Sequence, residues 1–264
     1  MTRVARWCLG FLVVYAVAVP LLDGHAPDAL DWSALGVAPF THGHVLGTDR
    51  LGRDLLVRSA TGLSTSLVLG LVATAVSLGV GVIVGTLAAL ARRPLGEAIM
   101  RGVDALDALP YPFVAILAAT FAPRGPATLL LVTGSLGWLG IARVVRLTAL
   151  GVVAQGYVNA ARIAGVSTAR ILVRHVAPAC AATALVYATL TLPTLIGVES
   201  FLSFLGLGVA EPSASLGNLL ADGANEMETA PWLLAVPATL LVATIGGLMS
   251  LGETLSRRIG AHGR

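Results

Sequence analysis

The side chains that could do chemistry in this chain are few, and they fall in small groups. Gly134-Ser135-Leu136-Gly137 frames a serine with small residues, as a nucleophile turn does, and His175 is a base that could activate it. His42, His44, Asp49 and Asp54 gather imidazoles and carboxylates that suit a divalent metal. Asp104 and Asp107 stand one helical turn apart beside an apolar stretch, the pattern of an intramembrane proton relay. Each group also has a plainer structural role. Ser135 sits inside an apolar stretch, whereas His175 belongs to a basic stretch several turns further on, and no oxyanion donors are evident. In GTDRLGRD, Gly47 and Gly52 permit tight turns, and Asp49 and Asp54 can pair with Arg50, Arg53 or Arg58. Folding of an outer loop is therefore expected there, with no metal site. Arg101 lies one turn before Asp104 and suits a local ion pair.

Missing residue types narrow the chemistry further. The 17 residues of the Lys/Arg class are all arginine. Without lysine the chain cannot form a Walker A phosphate loop, which needs a Lys on the β/γ-phosphates, nor a Schiff base. Cys8 and Cys180 are too far apart in sequence for a metal-ligand pattern and read as small buried side chains.

What positions these residues is a membrane-spanning bundle. Of 264 residues 56% are hydrophobic and 12% charged, more apolar surface than a soluble chain of this length can bury. The short strands of alternating polarity that build an outer-membrane barrel are absent from the sequence. The expected fold class is all-α, a polytopic bundle of about six transmembrane helices. The spans are placed at residues 7–22, 66–91, 100–123, 127–141, 179–198 and 232–251. Arg3 and Arg6 before the first could begin a signal peptide. Val-Pro-Leu-Leu-Asp offers no small-x-small cleavage site, so an uncleaved anchor is expected. Gly70, Gly79, Gly81 and Gly85 let the second span approach its neighbours closely. Pro110 and Pro112 blur the start of the third, and Pro193 and Gly197 are kink points in the fifth. Residues 1–65 thus form an anchor span and outer linker, 66–252 the core, and 253–264 a cytoplasmic tail.

Charge sets the orientation. Arginines at the N-terminus, at 92–101, at 143–174 and at the C-terminus fall on one side of such a bundle. The other side keeps Arg50, Arg53, Arg58 and Arg124, diluted by acids. By the positive-inside rule both termini are cytoplasmic. Residues 143–178 are rich in arginine and free of acids, and they read as two short helices, 157–164 and 168–175, joined at Gly165 and stopped by Pro178. Ala160, Ala161 and Gly165 give a smooth surface flanked by Arg162 and Arg170. That surface fits a partner's groove, with arginines clamping acids at its rim, and fits anionic lipid headgroups equally well.

The run N-AA-x3-G-x9-H-V-A-P, Asn159 to Pro178, resembles the EAA loop of permease subunits of binding-protein-dependent ABC importers. Within them, YVNAARIAGVSTARILVRHVAP is similar to the dipeptide/oligopeptide/nickel branch, where an Arg after the two alanines and a His before the proline are usual. HVLGTDRLGRDLLVRSATGLSTSLVLG, from His44, resembles that branch's block before the second span, and ESFLSFLGLGVAEPSASLGN, from Glu199, its block after the fifth. The resemblance runs from His44 to the sixth span. The sequence departs from the pattern at Asn159, where an acid usually opens the loop, and at Gly156, Ala177 and Leu216. Asn can hydrogen-bond but forms no salt bridge with a partner Arg, so one docking contact differs.

The resemblance implies a permease subunit that is not itself an enzyme. Its expected partners are a second homologous permease subunit, two cytoplasmic ATP-binding subunits, an extracytoplasmic substrate-binding protein and membrane lipid, with no nucleic acid. ATP and Mg would sit on the partner subunits, and this chain would bind no cofactor or metal. Tyr157, Asn159, Ala160, Ala161, Arg162, Gly165, Arg170, His175 and Pro178 would couple to the ATPase subunit. His44, Asp49, Arg53, Asp54, Glu199, Glu211 and Asn218 would contact the binding protein on the outer face. Short peptides are the expected substrate and nickel the alternative within the branch. A self-contained secondary transporter would instead need ionisable residues near mid-span and paired broken helices, and neither is evident in the sequence.

Overall fold

A computed structural model describes residues 3–22, 26–123 and 125–262. Arg124 and Arg264, part of the charge bias above, lie outside them. The described chain is helical: α1 (Arg3–Leu22), α2 (Leu55–Leu90), α3 (Arg93–Asp107), α4 (Tyr111–Phe121), α5 (Pro126–Val153), α6 (Gly156–Ile163), α7 (Thr168–Ile171), a π-turn (Leu172–Val176), α8 (Ala177–Phe204), α9 (Leu216–Asn225) and α10 (Trp232–His262). Among the described residues four helical stretches are long and apolar enough to cross a membrane: α2, α5, α8 with its π-turn, and α10. The α3–α4 pair makes a fifth only as a span bent by 81°. The apolar part of α1, Arg6–Leu22, is shorter, so the expected six rests on counting both α1 and the broken pair.

Small residues set the core. On α2, a Cβ at Gly81 would press to 2.7 Å from Ile141, and one at Gly85 to 2.9 Å from Val145, so α2 and α5 touch nearly backbone to backbone. Below that crossing Ile141, Val145, Ala149, Val158, Ile171, Val176, Cys180 and Ala184 form one buried cluster. It joins the C-terminal end of α5 and the N-terminal end of α8 to α6. The Tyr15 hydroxyl donates to Leu56 O at 3.0 Å and lies 2.7 Å from Ser59 Oγ, which fastens α1 across α2.

Several boundaries differ from the sequence expectation, each for a local reason. α2 starts at Leu55 rather than 66, because the Asp54 carboxylate caps it by accepting from Val57 N at 3.1 Å. The third span is broken at residues 108–110. Pro110 and Pro112 cannot donate to the carbonyls four residues back, and their rings crowd those carbonyls. α5 continues to Val153, so Arg143 and Arg146 belong to a span helix and not to the hairpin. Pro178 does not stop the hairpin's second helix. The Ala177 amide reaches back to Leu172 O in the π-turn, and the widened turn makes room for the ring as α8 runs on. α8 also carries Glu199, expected in the outer segment, into the bundle.

Candidate functional site: the inner hairpin and the outer charge cluster

The α6–α7 hairpin is a capped, braced element. Gly165 has φ +78°, and its amide donates to Arg162 O while Val166 N donates to Ala161 O, both at 3.0 Å. This pairing closes α6 in a Schellman turn that a glycine accommodates without strain. Val158 is fully buried in the inner cluster, with Ala161 and Val166 packed against it. Tyr157 lies over His175 with ring centroids 5.4 Å apart, tying α6 to the π-turn that leads into α8. Outward face Tyr157, Asn159, Ala160, Arg162, Ile163 and Gly165, all exposed, with Ile163 at 89%. Arg170 and Pro178 are also exposed, while His175 is half-buried. Of the expected coupling residues, Ala161 and His175 turn partly inward. The exposed Ile163 escaped the sequence reading, although its place between Arg162 and Ala164 on a short helix signals an outward apolar contact.

At the other end of the bundle, the two outer blocks are stitched together by buried charge. Gly52, at φ +76°, brings the loop so close to the backbone of Asp31 that a Cβ would collide with it. Arg53 Nε donates to Asp49 Oδ2 at 2.6 Å, and its Nη1 reaches Glu211 Oε1 at 3.3 Å. Arg58, 1% exposed, approaches Asp49 at 3.5 Å and Asp222 at 3.9 Å. His44 Nδ1 lies 2.6 Å from Asp54 Oδ2, and its Nε2 lies 3.8 Å from Asp31. Burial works against the Arg53 cation, but the bond and charge of Asp49, helped by Glu211, hold its pKa above the ordinary value. For Asp222 burial prevails: despite Arg58 and Arg53 its carboxyl is pushed up. Glu199 accepts from Ser203 at 2.8 Å and Ser200 at 3.3 Å, a hydroxyl nest for a buried carboxylate. Asn218 completes a capping box with Ser215 at the start of α9.

The residues expected to contact the binding protein divide by exposure. His44, Asp49, Arg53, Asp54 and Glu199 are buried within the chain. Asn218 is half-buried in its cap, and Glu211 is the exposed member. Asp49 is taken by Arg53 and Arg58, and Asp54 by Val57 N and His44. Among the described residues no group of three or more His, Cys, Asp or Glu is placed to hold a metal. Asp104 and Asp107 pair with Arg143, at 2.9 and 3.0 Å, in place of the local partner Arg101. Ser135 donates to Val132 O within α5, and the structure does not bring it to His175.

Residues 81–259 match the profile of the binding-protein-dependent transport system inner membrane component. The chain belongs to this family. It is 40% identical over 248 residues to the oligopeptide transport system permease protein OppC of Escherichia coli, covering 94% of this chain and 82% of that one. It is 37% identical over 251 residues to the OppC of Bacillus subtilis, again over 94% and 82%. In fold it is similar to inward-facing structures of the MetNI methionine ABC transporter, with a TM-score of 0.63 at 19% identity over 76% of this chain and 96% of that one. Family and fold together make this chain a permease of the ABC transporter class, an all-α membrane protein.

Proposed function

We propose that this chain is one of two permease subunits of an ATP-driven importer of short peptides, and that it performs no chemistry itself. The observation that carries the reading is its identity to oligopeptide permeases over nearly its whole length. ATP and Mg would reside on two cytoplasmic subunits, consistent with a chain that has no lysine for a phosphate loop. Both termini and the α6 hairpin lie in the cytoplasm, since arginines cluster at those ends. The exposed face of α6 enters a groove on an ATP-binding subunit, where Arg162 and Arg170 meet acids and Asn159 hydrogen-bonds in place of the family's usual acid.

Mechanically, α6 is a lever with a short throw. Val158 sits in the same buried cluster as Ile171, Val176 and Cys180, so displacement of α6 moves the inner ends of α5 and α8 as one body. Closure of the ATP-binding subunits then biases the bundle between inward- and outward-open states. On the outer face Glu211, beside Asp222, presents negative charge to a basic patch of the binding protein. Reconstitution tests the reading. Peptide uptake should require ATP, the ATP-binding subunits and the binding protein together; uptake by the permease subunits alone would contradict it.

A further inference from the structure

The α3–α4 break opens a cavity of about 540 Å³, within the usual range for small-molecule sites, bounded by α5 and α8. Its wall mixes Tyr111, Tyr187, Thr191 and Thr194 with leucines, and Asp107 lies at its edge. Non-helical backbone at membrane depth persists only where protein or water covers it. Thr191 and Thr194 lie near the middle of α8, so this cavity reaches mid-span, and with Leu109, Tyr187 and Thr194 exposed it is open at the surface of this chain. Asp104, Asp107 and Arg143 are between 41% and 60% exposed on this chain. Charged groups so exposed on a spanning bundle do not face hydrocarbon; they face water or a partner. Exposed ion pairs are weak, so this one opens readily to another charged ligand.

We propose that the cavity at the α3–α4 break is this chain's share of the peptide pathway, and that Asp107 and Arg143 at its inner mouth receive the charged ends of the passing peptide. The peptide ammonium replaces Arg143 beside Asp107, and the peptide carboxylate replaces Asp107 beside Arg143. The mouth offers both signs, Asp104 and Asp107 against the single guanidinium of Arg143, and a free peptide has a charged end for each, whereas a peptide capped at both ends has neither. The proposal rests on the importer reading for its substrate. It adds the residues that line the path and a preference for free termini within this subunit.

The test uses the assembled importer in nanodiscs, with Cys8 and Cys180 replaced by alanine and single cysteines introduced by Thr191→Cys and Thr194→Cys. A charged, membrane-impermeant thiol reagent is expected to label both, and to leave unlabelled a Leu117→Cys control on an exposed apolar position of α4 away from the cavity. A free tripeptide should slow labelling several-fold more than its N-acetylated, C-amidated form, and Asp107→Asn or Arg143→Gln should erase that difference. The same two variants should lower tripeptide uptake in proteoliposomes about tenfold or more, with thermal stability and binding-protein-stimulated ATP hydrolysis close to wild type. No labelling in any nucleotide state would mean a dry interface with the second subunit and would overturn the proposal. Equal protection by free and capped peptide, or unchanged uptake in the variants, would overturn the role of the ion pair. Failure of the wild type to take up peptide would refute the importer reading and with it the peptide as cargo, whereas failed labelling beside intact wild-type uptake would refute the cavity as pathway and leave the importer reading standing.

Discussion

Replacing Asp54 separates two contributions to the outer cluster. Its carboxylate caps α2 by accepting from Val57 N at 3.1 Å and also meets His44 Nδ1 at 2.6 Å, with the residue only 8% exposed. Asp54→Ala removes both bonds. Loss of the cap costs about 1 kcal/mol. A buried imidazole nitrogen left without its partner costs roughly 1–3 kcal/mol more. The total of about 2–4 kcal/mol corresponds to a fall in unfolding temperature of roughly 5–15 °C for a chain of this size. Asp54→Asn keeps a good capping side chain and a neutral acceptor for His44, so its fall should be less than half as large. Thermal unfolding of the purified complex in detergent, followed by loss of the monodisperse chromatographic peak, reads both variants. Equal behaviour of the two, or an Ala variant as stable as wild type, would refute the assignment of Asp54 as cap and partner.

Other perturbations probe the remaining elements. Gly165→Glu places a bulky anion at a φ of +78° on the exposed end of α6. It should leave the protein in the membrane while ATP hydrolysis no longer drives uptake, as measured by the ratio of the two rates in proteoliposomes. Gly85→Leu forces a side chain into Val145 and the backbone of α5. It should destabilise the bundle by about 1–3 kcal/mol or more, visible as loss of assembled complex. Glu211→Arg reverses the exposed charge beside Arg53. Stimulation of ATP hydrolysis by the binding protein should weaken several-fold at low salt and by less at high salt, because screening removes surface attraction.

The inner hairpin was legible in the sequence because its cues are local. Gly165 needs a left-handed turn, and alanines beside arginines on an eight-residue helix leave little else to present outward. The helical bundle was legible too, since hydropathy acts over whole segments. What escaped depends on contacts between distant residues. Nothing near Asp104 and Asp107 in sequence reveals that Arg143 faces them from another helix, and the i, i+3 neighbour Arg101 was the natural local choice. Similarly, HVLGTDRLGRD reads as a charged surface loop until Glu211 and Asp222 arrive from the far end of the chain and bury its arginines. Pro178 misled for a subtler reason. A proline ends an α-helix, but a π-turn just before it leaves room for the ring, and no residue of LVRHV announces that turn.

The exposed face of α6 rests either in a protein groove or on lipid headgroups, and coupling to ATP requires the groove. A photo-reactive side chain placed at Ala160, in membranes holding the assembled importer, answers that directly. Irradiation should join this chain to the ATP-binding subunit, with a yield that changes when ATP is trapped. Adducts with lipid alone, unchanged by nucleotide, would contradict the account.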